Sequence, residues 1–185
     1  IIVPNSFPYF LKWMEGSEDI LIYEYNPKAA ETIFNKSDLI FSLDYNIPKR
    51  IGPMSELLEN ATAKKILIDH HLYPGDIFDV IISFPNISST SELIFRFLYQ
   101  ADKIKLIDKK ISECIYTGMM TDTGGFTFNS NSPDIYQIIS LLLTKGIDKD
   151  KIYSLVFNNL SESRFRLLGF TLSQRMKIYP ELNSA

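Results

Sequence analysis

Apolar residues gather in four short runs in the first half of the chain: ILIY (20–23), LIFSLD (39–44), KILID (65–69) and VIIS (80–83). Turn-forming or polar residues bound each run. Mostly unbroken β-branched and aliphatic stretches of this length suit strands buried on both faces, as in a parallel sheet. Between them the spacing becomes helical: NPKAAETIFNKS (26–37) follows the first run, and MSELLENATAK (54–64) separates the second from the third. This alternation predicts an α/β fold, a mostly parallel β-sheet flanked by helices. The opening residues, IIV (1–3), also read as a core strand.

The second half is helical throughout. SSTSELIFRFLYQ (88–100) begins with a capping box, Ser89 with Glu92 three residues on, and continues with an apolar stripe at Leu93, Ile94, Phe97 and Leu98. DKKISECIYTGMM (108–120) aligns Ile111, Ile115 and Met119 on one face. SPDIYQIISLLLTKG (132–146) has Ser132 as N-cap, Pro133 at the first helical position and Gly146 as stop. Two more helices are expected over 148–161 and 162–176, and no repeat or low-complexity tract interrupts the chain.

Composition narrows the class. The 185 residues are 45% hydrophobic and 22% charged, ordinary for a globular protein of one domain, or of one domain and part of a second. A net charge of −3 excludes a bulk cationic surface for duplex DNA, while leaving small or single-stranded nucleotides open. No apolar stretch reaches the ~20 residues of a membrane span. The start, IIVPNSFPYF, lacks the basic region of a secretory signal and reads as the interior of a domain. The lone Cys114 cannot form an internal disulfide. It is expected as a buried apolar filler in a reducing compartment, hence a cytoplasmic protein.

Three aspartates occupy special positions. Asp44 ends LIFSLD, Asp69 ends KILID, and Asp122 lies in TGMMTDTGGF. The first two close consecutive predicted strands joined by a helical crossover, so both emerge at the carboxyl edge, where open α/β folds bind ligands. Asp44 alone is equally a turn or capping residue, and TDTGG alone is an Asx-turn with glycines for positive φ. Both histidines of the chain, His70 and His71, follow Asp69 directly. Two aspartates and a histidine at one edge make an N/O donor set suited to a divalent metal such as Mn2+, with Asp122 as a third carboxylate if the fold brings it there.

The ordered set resembles the DHH phosphoesterase family, in its bacterial oligoribonuclease and 3′-phosphoadenosine 5′-phosphate (pAp) phosphatase branch. SLDYN (42–46) is similar to the family's second motif, IDHHLYP (68–74) to the third, SSTSEL (88–93) to its serine-rich segment, and YTGMMTDTGGF (116–126) to the fourth. FLKWMEGSEDILIY (10–23) extends the likeness toward the start. The resemblance implies that Asp44 bridges two Mn2+ ions and that His70 and Asp122 complete the second ion's protein ligands. It implies that His71 stabilises charge on the substrate phosphate or leaving group, while Asp69 orients a neighbouring imidazole. Ser89 and Thr90 are candidates to hold a substrate phosphate at a helix start, although helix capping explains them equally well.

The family's first motif, an Asp-x-Asp element, and its small C-terminal domain with a Gly-Gly-Gly-His-type motif are not found here. Residues 1–168 therefore read as part of a catalytic domain and 169–185 as a linker toward a further domain. With first-site ligands missing, this stretch alone is expected to bind metal weakly and turn over little substrate. The parent is expected to hydrolyse phosphate esters of short nucleotides, pAp to AMP or short oligoribonucleotides. The alternatives are a cyclic-dinucleotide phosphodiesterase, a single-strand exonuclease, an inorganic pyrophosphatase, or a nucleotide-binding relic without a metal centre. Expected partners are a short nucleotide substrate, neither duplex DNA nor a membrane, with homodimerisation left open.

Overall fold

The structure is a computed structural model that describes residues 1–159 and 161–184. Its first half builds two parallel sheets. β1 (Ile2–Val3) pairs with β2 (Leu21–Ile22) in a two-stranded sheet. β3 (Leu39–Leu43), β4 (Lys64–Asp69) and β5 (Val80–Ser83) form a three-stranded sheet in that order, with Leu43 opposite Ile68 and Asp69 opposite Ser83. Helix α1 (Pro27–Lys36) connects β2 to β3, and α2 (Ser55–Asn60) connects β3 to β4. The predicted helix over 54–64 is cut short because Lys64 already begins β4.

Burial differs from expectation in an instructive way. β4 is the central strand, and its Leu67 and Ile68 are fully buried. β3 and β5 are the outer strands of that sheet and keep much apolar surface exposed, at Leu39, Phe41, Leu43, Val80 and Ile81. Only the strand with a neighbour on each side is covered on both faces. The first predicted strand shrinks to Leu21–Ile22, and Ile1 is exposed.

The second half packs helices on one another: α3 (Thr90–Gln100), α4 (Lys109–Asp122), α5 (Pro133–Thr144), α6 (Lys149–Phe157) and α7 (Glu162–Phe170). Ser89, Asp108, Ser132, Asp148 and Ser161 each cap the helix that follows by accepting a main-chain N–H. This satisfies donors that no helix can satisfy internally. Two cores result. Phe34, Ile51, Leu58 and Leu67 lie between α1, α2 and the sheet, and Phe95, Ile115, Met119, Ile135 and Leu142 lie among the helices.

Several sequence expectations are corrected here. On α3 the core residues are Leu93 and Phe95, while Phe97 is exposed, because the helix turns Phe95 rather than Phe97 toward α4 and α5. Ile111 and Cys114 are exposed on α4, whose buried stripe runs through Ile115, Tyr116, Met119 and Met120. Cys114 is therefore not a core filler. Its thiol borders a shallow groove with Glu15 and Asp108, and partial burial, followed by nearby negative charge, pushes its pKa up. The helix expected over 148–161 ends at Phe157, and its Leu160 lies outside the described residues. The last predicted helix is α7 followed by a wider turn, Thr171–Arg175. Among the described residues no helix is long and apolar enough to cross a membrane.

Candidate active site

The carboxyl edge of the three-stranded sheet carries the candidate chemistry. The last rung between β3 and β4 is Asp44 N–H donating to Ile68 O at 3.2 Å. Asp44 itself has φ 67°, a left-handed conformation that ends β3 sharply. Aspartate tolerates this region better than most side chains because its short polar group can bond locally. Its Oδ1 accepts from Thr90 Oγ1 at 2.8 Å, which ties it to the start of α3.

Strand β4 continues one residue further, to Asp69, which is completely buried. Asp69 Oδ1 lies 2.7 Å from His71 Nδ1, and its Oδ2 has no hydrogen-bond partner. His70 bonds elsewhere, although its ring lies 4.8 Å from that of His71. Its Nδ1 lies 3.2 Å from the main-chain carbonyl of Ile87. A carbonyl only accepts, so Nδ1 carries a proton, and in the neutral imidazole Nε2 then holds the lone pair. That Nε2 lies 3.6 Å from Asp44 Oδ1 and 3.9 Å from Asp122 Oδ2.

Asp122 reaches this point as the final residue of α4. The approach depends on Gly118, where an added Cβ would sit 1.9 Å from Ser91 Oγ and 2.7 Å from Ser91 Cβ on α3. Past Asp122 the chain turns through Gly124 at φ 56° and Gly125 at φ 73°, and buried Thr123 Oγ1 accepts from Phe126 N–H at 3.0 Å. TDTGG is thus both a turn and the holder of a carboxylate that faces His70.

The donor set fits a divalent cation. Nε2 and its two carboxylate neighbours are too far apart for direct hydrogen bonds. Donors ~2.1 Å from one ion stand roughly 3–3.5 Å apart, only slightly closer than the separations seen here. The Asp122 carboxyl is raised above its ordinary range by burial, then by the charge of Asp44, with His70 and His71 opposing. A cation between the carboxylates relieves that repulsion. The most compact trio is Asp44, His70 and His71, whose candidate donor atoms lie within 4.8 Å of one another. Asp69 occupies His71 Nδ1 and leaves its Nε2 available, as the Ile87 carbonyl does for His70, and Asp122 adds a hard oxygen donor that faces His70 Nε2.

The sequence left Ser89 and Thr90 between capping and phosphate binding. Ser89 is fully buried and its Oγ accepts from Glu92 N–H at 3.0 Å, so this hydroxyl is enclosed as a cap. Thr90 orients Asp44 instead. Two contributors escaped sequence reading. Asn46 Nδ2 donates to Leu72 O at 2.6 Å and holds the loop after His71; its place in SLDYN was the available signal. The Ile87 carbonyl is main chain, and no side-chain pattern announces it.

Comparison with known proteins finds the same family of sequences and a similar fold. The sequence model of the DHH family, N-terminal domain, matches residues 6–119. A crystal structure described as an exopolyphosphatase-related protein from Bacteroides fragilis superposes with a TM-score of 0.95 at 55% identity, over 97% of this chain and 53% of that one. An uncharacterized protein of Mycoplasma pneumoniae is 22% identical over 82% of this chain and 46% of its own length. An A-adding tRNA nucleotidyltransferase of Geobacter sulfurreducens is 27% identical over 77% of this chain and 16% of its own length. The chain thus spans about half, or less, of each of these proteins.

Proposed function

The chain belongs to the DHH family, and on that premise we propose that the protein is an Mn2+-dependent phosphoesterase acting on phosphate esters of short nucleotides, pAp or short oligoribonucleotides. The observation that carries the reading is the facing of Asp44 and Asp122 across Nε2 of His70. These residues would hold the metal, which supplies Lewis-acid polarisation of a phosphoryl oxygen and activation of water.

The remaining work belongs to the chain's own groups. Asp69 holds His71 as the Nδ1–H tautomer, which leaves Nε2 free to take up a proton. Once protonated, His71 bears a positive charge balanced by a buried carboxylate, and can pass its proton to the departing ester oxygen as the P–O bond breaks. Thr90 fixes the Asp44 carboxylate through one oxygen and leaves the other free.

The net charge of −3 favours a small nucleotide over long duplex DNA. An A-adding tRNA nucleotidyltransferase and an exopolyphosphatase-related protein among the similar proteins are consistent with nucleotide or phosphate chemistry. The second reading is inorganic polyphosphate, favoured by the description of the 55%-identical crystal structure. The test is a panel on the full-length protein with Mn2+: pAp, a 5′-phosphorylated diadenylate, a cyclic dinucleotide, polyphosphate and end-labelled single-stranded DNA. Preferential release from pAp or the diadenylate supports the proposal, and preferential release from polyphosphate replaces it with the second reading. Absence of both Mn2+ binding and turnover of any substrate points to a nucleotide-binding relic of the fold.

A further inference from the structure

Glu92 is a buried carboxylate that the chemistry above does not use, on the first turn of α3. The capping-box pattern assigns it to the N–H of Ser89. It goes elsewhere. Oε2 accepts the main-chain N–H of Ser88 at 3.2 Å and the Ser88 hydroxyl at 2.5 Å. Oε1 accepts both Nε and Nη2 of Arg96, at 2.9 and 2.7 Å, and Arg96 Nη2 also reaches Asp134 on α5 at 3.2 Å.

The N–H of Ser88 belongs to the same peptide group as the carbonyl of Ile87. That group is planar and trans, so its N–H and C=O point in opposite directions and cannot reorient independently. One end is held by Glu92 and the other accepts Nδ1–H of His70. We propose that Glu92 is a positioning residue for the metal centre: by clamping the Ile87–Ser88 peptide plane, it fixes the tautomer and direction of His70. The inference rests on the reading of His70 as a metal ligand.

Two physical effects follow from this chain of bonds. A charged acceptor on the N–H side polarises the amide and makes the Ile87 carbonyl a better acceptor. The better acceptor holds the His70 proton on Nδ1 and raises the donor strength of Nε2, as outer partners of metal-bound imidazoles do. Arg96, one turn further along α3, anchors Glu92 and is itself held by Asp134 on α5. The same short segment also sends the Thr90 hydroxyl to Asp44. Two of the three candidate ligands are therefore steered from residues 87–92.

The test uses the full-length protein with Glu92→Gln, Glu92→Ala, and Leu93→Ala as a control for general loosening of α3. Two readouts are taken: the His70 tautomer by nitrogen NMR in metal-free protein, and Mn2+ affinity by calorimetry. The signals lost in His70→Ala identify the His70 ring. The expected result is loss of the pure Nδ1–H form in both Glu92 variants and roughly tenfold weaker Mn2+ binding, with neither change in Leu93→Ala. An unchanged tautomer in folded Glu92→Gln overturns the proposal, and so does an equal change in Leu93→Ala. Unaltered Mn2+ affinity in His70→Ala overturns the underlying ligand reading instead, and the metal-free spectrum still decides whether Glu92 sets the ring.

Discussion

The carboxylate of Asp69 is sealed at the end of β4 with one oxygen 2.7 Å from Nδ1 of His71, two residues later. Asp69 is thus a partner of an imidazole and does not face the space between Asp44, His70 and Asp122. Asp69→Asn preserves the size of the side chain and removes its charge. Expected is a fall in kcat of roughly 10–100-fold, the range for lost outer partners, with Mn2+ affinity close to wild type. Steady-state kinetics beside calorimetry check the split; a parallel loss of metal would place Asp69 among the ligands.

Asp44 combines a left-handed backbone with a carboxylate, and two substitutions separate these. Asn tolerates the left-handed region, so Asp44→Asn should melt near wild type and lose most Mn2+ affinity. Asp44→Ala loses the metal and also about 1 kcal/mol of stability from the strained backbone. Chemical denaturation of both metal-free variants checks the difference. Equal stability would remove the backbone from the account.

The Asp122 carboxyl has a raised pKa in the fold, from burial first and the Asp44 charge second. A raised acid pKa means that the folded form holds its proton more tightly than the unfolded chain. The resulting stability is complete below the unfolded value and is lost as pH rises through the folded one. In metal-free protein, wild type should therefore lose stability relative to Asp122→Asn as pH climbs from the ordinary carboxylate range. Denaturant midpoints across a pH series with chelator test this; parallel curves would count against it.

Gly118 permits the contact that delivers Asp122. Gly118→Ala forces α3 and α4 apart against Ser91. The expected cost is about 1–3 kcal/mol, as for other overpacked sites, together with weaker Mn2+ binding. Ser91→Gly in the same chain removes both clashing atoms and should restore most of the metal affinity. No recovery in the double variant would mean that the defect lies within α4.

The legible part of this protein was the part written in side-chain periodicity and punctuation. β4 ends at Asp69 as the run KILID predicts, and Ser89, Ser132 and Pro133 open helices where they were expected. The strand ends pointed Asp44 and His70 to one edge and left Asp122 to depend on the fold, which brings it 3.9 Å from His70 Nε2. Main-chain partners and neighbours were illegible. Nothing in the letters distinguishes Phe95 from Phe97 as the inward residue, or announces that the Ile87 carbonyl meets His70. The second arm of Glu92 was hidden for a related reason: the pattern is shared with an ordinary capping box, and only the direction of the arm differs.

The pairing of Leu43 with Ile68 places Asp44 opposite Asp69 and sets the distance from Asp44 to His70. A slip of one residue between β3 and β4 would carry Asp44 ~3.3 Å along the sheet and reverse the face of every side chain on the slipped strand. Such a chain could retain helices and much of its apolar burial while losing the donor set. Because a ligand stabilises only the states that bind it, metal would act on folding as a check on strand alignment, drawing correctly paired molecules out of an ensemble that hydrophobic burial alone discriminates weakly.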